Sequence, residues 1–172
     1  ALTADMVRAA GHTVMPESGW APVTVPGAPA AWAALSARFG RLGLACAMER
    51  AAEYASEGFA VSPDVAKSWQ AAANAYRQRL DGDHMRHWFD TFTQDGSAPH
   101  AGDVFRMPHH AETLLEIGRT GARSFYEGDL AGRIVRFSAE TGGYLALQDL
   151  KAFTPQWVDP LGVTFRGHEI WE

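Results

Sequence analysis

Apolar residues recur at helical spacing along most of this chain and switch to strict alternation only near its end. Thr3 to Ala10 reads as a short helix stopped by Gly11, followed by a loop of turn formers, Pro16, Ser18, Gly19 and Pro22. Val23-Thr24-Val25 is a brief extended segment closed by Pro26-Gly27, and Pro29 then suits the first turn of a helix. That helix carries Trp32, Leu35 and Phe39 on one predicted face and ends at Gly40. Leu44 to Glu57 places Leu44, Met48, Ala52 and Ala55 on one stripe, with small residues that admit a close neighbour. Ser62 is predicted to cap a helix from Pro63 to Leu80, whose inner side holds Val65, Trp69, Ala72, Ala73, Tyr76 and Leu80.

Asp81 to Gly102 has the weakest pattern: Trp88, Phe89 and Phe92 stand among polar residues, before turns at Asp95-Gly96 and Ala98-Pro99. Pro108 can open the next helix. Two helical runs follow, Ala111-Leu114-Leu115 before Gly121 and Leu130-Ile134-Val135 before Gly142-Gly143, with the aromatic pair Phe125-Tyr126 between them. The period then changes to two. Leu161 to Phe165, a turn at Arg166-Gly167, and His168 to Trp171 predict a β-hairpin. The expected fold class is a mainly α lobe with a C-terminal β-hairpin. Residues 1–172 form a single region in this reading, with helices over about 3–155 and strands over about 158–172.

Composition narrows the function more than the fold. The chain has 172 residues, a formal net charge of −5 and 20% charged residues, with both signs interspersed. It has no basic footprint for nucleic acid, and no apolar run approaches the ~20 residues that cross a bilayer. The single cysteine, Cys46, excludes an internal disulfide. The chain opens on Ala1-Leu2-Thr3-Ala4-Asp5, already helical in character and without a signal-peptide pattern, and stops at Trp171-Glu172 within or just after a strand. Both ends read as cut from something longer, so a fragment is expected.

Each candidate for chemistry meets a plainer reading. His84 and His87 stand three apart, and His109-His110 precede Glu112, so imidazole and carboxylate ligands for zinc are available in principle. Their spacing lacks HExxH and no cysteine pair supports it; surface histidines are the preferred reading, and no metal is assigned. Cys46 lies on an alanine-rich helix beside Met48, where a small buried hydrophobe is expected rather than a reactive thiolate. Ser124 lacks the glycine-flanked context of a hydrolase elbow. Glycines 118, 121, 128, 132, 142 and 143 form no dinucleotide fingerprint, and helix stops account for most of them. Trp32 and Trp69 fit helix-face packing, whereas Trp20, Trp88, Trp157 and Trp171 are expected to pack against polypeptide outside this sequence.

Three stretches nevertheless carry a family resemblance. The first joins Gly121, Phe125-Tyr126, Gly128, Ile134, Gly142-Gly143, Asp149-Leu150, Phe153, Pro160 and Arg166-Gly167. The second is the run from Val23 to Trp32 with Arg38 to Leu42, and the third is Glu57 to Ser62. Together they resemble the large-subunit end of the γ-glutamyltranspeptidase family of self-cleaving N-terminal-nucleophile hydrolases. The stretch from Gly102 to Pro108 is similar to the segment that ends the family's variable region.

The resemblance implies a four-layer αββα sandwich, of which this chain supplies the helical large-subunit lobe and a strand or two at the sheet. It implies acyl transfer from a small amide or γ-glutamyl compound by a threonine at the N-terminus of a small subunit. The partners implied are that small subunit and the N-terminal part of the large subunit. The threonine is expected downstream of Glu172 and the substrate-binding arginine upstream of Ala1. No catalytic, substrate-binding or metal residue, and no cofactor, is therefore assigned within the chain. A small-amide hydrolase of the same family, such as oxamate amidohydrolase, is the alternative activity; a non-catalytic helical binding module is the alternative from another class.

Overall fold

The structure is a computed structural model that describes residues 2–80, 82 and 85–172. Its elements run in the order α1 (Ala4–Ala9), α2 (Ala28–Phe39), α3 (Leu44–Glu57), β1 (Phe59–Ala60), α4 (Pro63–Arg79), α5 (Arg86–Phe92) and β2 (Val104–Phe105). They continue with α6 (Pro108–Thr120), α7 (Arg123–Glu127), α8 (Asp129–Glu140), α9 (Leu147–Ala152), β3 (Gly162–Phe165) and β4 (His168–Trp171). The mainly helical lobe and its C-terminal hairpin are as expected. A second antiparallel pairing, β1 with β2, joins Phe59 to Phe105 and Ala60 to Val104, and periodicity over two residues could not reveal it.

Helix α3 packs along α6, and the predicted stripe faces inward: Ala52 and Ala55 are buried with Ala111, and Leu114 closes over them. Gly118 lets the two helices approach. A Cβ there would lie 3.0 Å from both Ala45 Cα and Met48 Cβ. The same geometry corrects the expectation for Cys46, which is exposed. Two residues from Met48 is roughly 200° around a helix, which turns Cys46 away from the stripe.

The main core gathers around α6 to α9. Ile117, Ala122, Tyr126, Leu130, Ala131 and Leu150 are buried together, with Val25, Ala30, Ala33 and Phe153 packed on them. Helix α2 therefore meets the core through alanines. Trp32, Leu35 and Phe39, predicted to face inward, are exposed, Phe39 at 65%. The reason is a polar tie. The Tyr126 hydroxyl donates to Pro26 O at 2.7 Å and accepts from Ala30 N at 3.1 Å, which turns the small-residue side of α2 toward α7. Because α2 is apolar all round, its pattern could not select the face.

A third cluster joins β1, β2 and α4 through Val61, Ala66 and Phe105, with Trp69 packed on Phe105 at a ring-centroid distance of 4.6 Å. Pro63 starts α4 as predicted, but Ser62 occupies the cap position with no side-chain capping bond, and Val65 is exposed.

Three of the tryptophans expected to await outside polypeptide, Trp20, Trp88 and Trp157, have ring partners within the chain, Trp157 against Phe39 at 5.6 Å. Trp20 donates from Nε1 to Thr141 Oγ1 at 2.9 Å and lies against Gly143, where a side chain would collide with its ring. Trp88 packs edge-on to Tyr76 at 4.8 Å. Trp157 and Trp171 remain largely exposed.

Candidate functional site

Among the described residues, the histidine candidates His87, His109 and His110 sit with separate partners. His109 Nδ1 lies 3.5 Å from Glu112, one turn along α6, and both side chains are open to solvent. His110 sets its ring against Phe92 at 5.8 Å. His87 lies 3.8 Å from Asp90 and edge-on to Phe137 at 5.6 Å. The predicted partner of His87 in an i, i+3 pair, His84, lies outside the described residues. Among the described residues no group of three His, Cys, Asp or Glu side chains is placed to hold a metal ion.

Ser124 is buried for a structural reason. Its hydroxyl accepts from Leu130 N at 3.4 Å, in the first turn of α8, where the backbone N–H groups need partners. Glu116 faces the same corner. The Arg119 guanidinium, 2.7 Å away, and then the Ser124 hydroxyl hold its carboxyl below the usual range. This is a braced helix junction without a nucleophile–base pair.

What the structure does bring together is a cleft of about 720 Å³ where α2, α5, α6 and α7 meet. His109 and His110 line it with Asp90, Thr91 and Thr113. Pro29 and Ile117, both buried, and Leu114 and Phe125, both half-buried, form its apolar part, with Trp32 and Met107 at the side. Arg106 completes the lining. Sequence reasoning missed Arg106 and misplaced Trp32. The basic residue stands one position beyond β2, and nothing local distinguishes it from any surface arginine.

A second feature is unpartnered rather than concave. In the terminal hairpin Gly162 pairs with Trp171, Val163 with Ile170, Thr164 with Glu169, and Phe165 with His168. Alternation places Val163, Phe165, His168 and Ile170 on one side and Gly162, Thr164, Glu169 and Trp171 on the other. All eight strand residues are exposed. Nearby, the Arg38 guanidinium sits 4.3 Å from the Trp157 ring and 5.0 Å from that of Phe39. The exposed apolar surface therefore extends from α2 to the segment that leads into the hairpin.

Comparison with known proteins gives this arrangement a context. A family model described as gamma-glutamyltranspeptidase matches residues 1–172. The chain is 33% identical over 172 residues to the glutathione hydrolase-like YwrD proenzyme of Bacillus subtilis (strain 168), covering 99% of this chain and 31% of that protein. It superposes on the crystal structure of cephalosporin acylase from Bacillus halodurans with a TM-score of 0.92 at 42% identity, over 99% of this chain and 32% of the acylase chain. For Helicobacter pylori gamma-glutamyltranspeptidase the TM-score is 0.77 at 26% identity, over 91% of this chain and 44% of that one. The chain thus spans about a third of the length of the Bacillus subtilis relative and of the acylase chain.

Proposed function

Since this chain belongs to the gamma-glutamyltranspeptidase family, whose relatives include glutathione hydrolases and an acylase, we propose that it is a large-subunit piece of a self-cleaving N-terminal-nucleophile enzyme. The observation that carries the reading is the match to cephalosporin acylase over 99% of this chain but only 32% of the acylase. The remainder of such a protein would supply the chemistry. A threonine hydroxyl at the new N-terminus of a small subunit attacks an amide carbonyl, and its own α-amino group takes the proton. The amine leaves with that proton and an acyl ester remains. Water or a second amine then attacks the ester, the acyl product departs and the threonine is restored.

In this reading residues 1–172 form one helical region whose work is support. Nucleophile geometry has to be held to about half an ångström by surrounding packing. The buried clusters around Leu150 and around Ala52 supply packing suited to that task. The terminal ribbon, with an apolar side that no described residue covers, suits a strand pair that continues into a four-layer αββα sheet. The acylase likeness favours hydrolysis of an acyl amide over transfer to an amine, and it supports an enzyme rather than a free-standing binding module.

The test is to take intact masses and N-terminal sequences of every polypeptide in the purified native protein. A second polypeptide beginning with threonine is the expected result. One uncleaved polypeptide that nevertheless hydrolyses γ-glutamyl or acyl amides would overturn the self-cleavage step and leave the family assignment intact.

A further inference from the structure

The cleft between α2, α5, α6 and α7 combines an apolar floor with a rim that carries Arg106, His109 and His110, of which His109 lies 3.5 Å from Glu112. Its volume, about 720 Å³, lies within the range of roughly 300–1,000 Å³ typical of small-molecule sites. Ile117 at the floor is 2% exposed, whereas Trp32 at the side is 39% exposed, large for a ring with apolar neighbours at hand. Arg106 forms no ion pair with any carboxylate among the described residues. Its stem is seated all the same, since a Cβ on Gly58 would fall 2.9 Å from Arg106 Cγ. A guanidinium is the group best shaped to take a carboxylate through two parallel bonds. His109 and His110 stand on the same rim, and the one acidic lining residue, Asp90, has His87 3.8 Å away.

We propose that this cleft binds a small amphipathic monoanion, an aryl or alkyl carboxylate, with its carboxylate on Arg106 and its apolar body against Trp32 and the Ile117 floor. A neutral apolar ligand would leave the guanidinium without a partner, and a highly charged one would leave the floor uncovered. The site is independent of the acyl-transfer reading: it uses only residues of this chain and involves no bond making.

Isothermal titration calorimetry on the purified protein, in its native chain composition, tests the idea with two probes. These are 4-phenylbutyrate and its uncharged analogue 4-phenylbutan-1-ol. The expected result is one phenylbutyrate per chain, with R106Q weakening it about tenfold, as loss of a charge-assisted contact would, and leaving the alcohol unchanged. W32S should weaken both probes. Arg106 is exposed and its side chain makes no ion pair among the described residues, so an unchanged circular dichroism spectrum is expected to accompany R106Q. Equal binding of the two probes, or indifference of phenylbutyrate to R106Q, overturns the assignment of the anion to Arg106. No binding of either probe at millimolar concentration overturns the site itself. Chain masses decide the acyl-transfer reading separately, so each can fail alone.

Discussion

The junction of α7 to α9 and the terminal ribbon of β3 and β4 carry equally clear hydrophobic patterns, and they end in opposite states. Along α8, Leu130 and Ala131 are buried against Leu150, which is 0% exposed. Along the ribbon, Val163 and Ile170 pair across the strands and remain 61% and 55% exposed. Period reports which residues share a face. It does not report whether the surface that covers the face belongs to the same stretch of chain. An isolated two-stranded hairpin is marginal in water, and the ribbon's apolar side stays open where α8's is covered.

The sharpest way to break this comparison is to cut equal volumes from each side. Leu150→Ala should cost about 2–5 kcal/mol, the range for a buried leucine whose site cannot fully collapse, read as a fall in the urea midpoint. Finding the same loss for a ribbon residue in this chain alone would erase the distinction.

Next in size is the polar tie beneath α2. Tyr126→Phe removes a donor to Pro26 O and an acceptor for Ala30 N, which should cost about 1–3 kcal/mol. It should also change the alkaline limb. Burial, opposed by the Ala30 N–H, raises the Tyr126 hydroxyl above the ordinary tyrosine value, which is about 10. The folded state therefore holds its proton more tightly than the unfolded one. The stabilisation is complete below about pH 10 and is lost as pH rises through the folded value. Circular dichroism from pH 8 to 12 should show this contribution in the native chain and its absence in Tyr126→Phe.

Gly118→Leu is of similar or smaller size. The new side chain must displace Ala45 or Met48 where α3 crosses α6, an overpacking cost of about 1–3 kcal/mol, partly offset by leucine's better helix propensity. A thermal melt should fall. An unchanged melting temperature would mean that the α3–α6 approach is looser than the small-residue stripe implies.

These sites also mark how far the sequence could be read. The stripe of α3, the start of α4 at Pro63 and the terminal hairpin were legible because each rests on local period or on a proline's fixed geometry. The inner face of α2 was not, because Trp32 and Ala30 both belong to plausible faces, and a hydroxyl 96 residues from Ala30 makes the choice. Cys46 illustrates the same limit on a smaller scale: composition suggested burial and angular position denied it. The cleft was half legible. His109 and His110 could be singled out by type, but Arg106 and Trp32 meet them only through the packing of α2 and α6. The family resemblance, by contrast, rested on residues that the structure uses for construction, such as Tyr126, Gly143 and Phe153.

The smallest expected effect is the most informative about the ribbon. Ile170→Thr keeps the β-branch and the cross-strand register with Val163 and replaces a methyl-bearing carbon with a hydroxyl. On a face open to water, such a change is worth no more than about 0.5 kcal/mol. In the 172-residue chain the melting temperature should therefore hardly move. If the apolar side of the ribbon is covered in the complete protein, the same hydroxyl is buried there without a designed partner, and the loss rises to about 1–3 kcal/mol. Measuring one substitution in both contexts turns exposure into an energy difference that only a covering surface can create. A small effect in both would leave the ribbon a true surface feature, and its hydrophobic alternation would have no packing role to explain it.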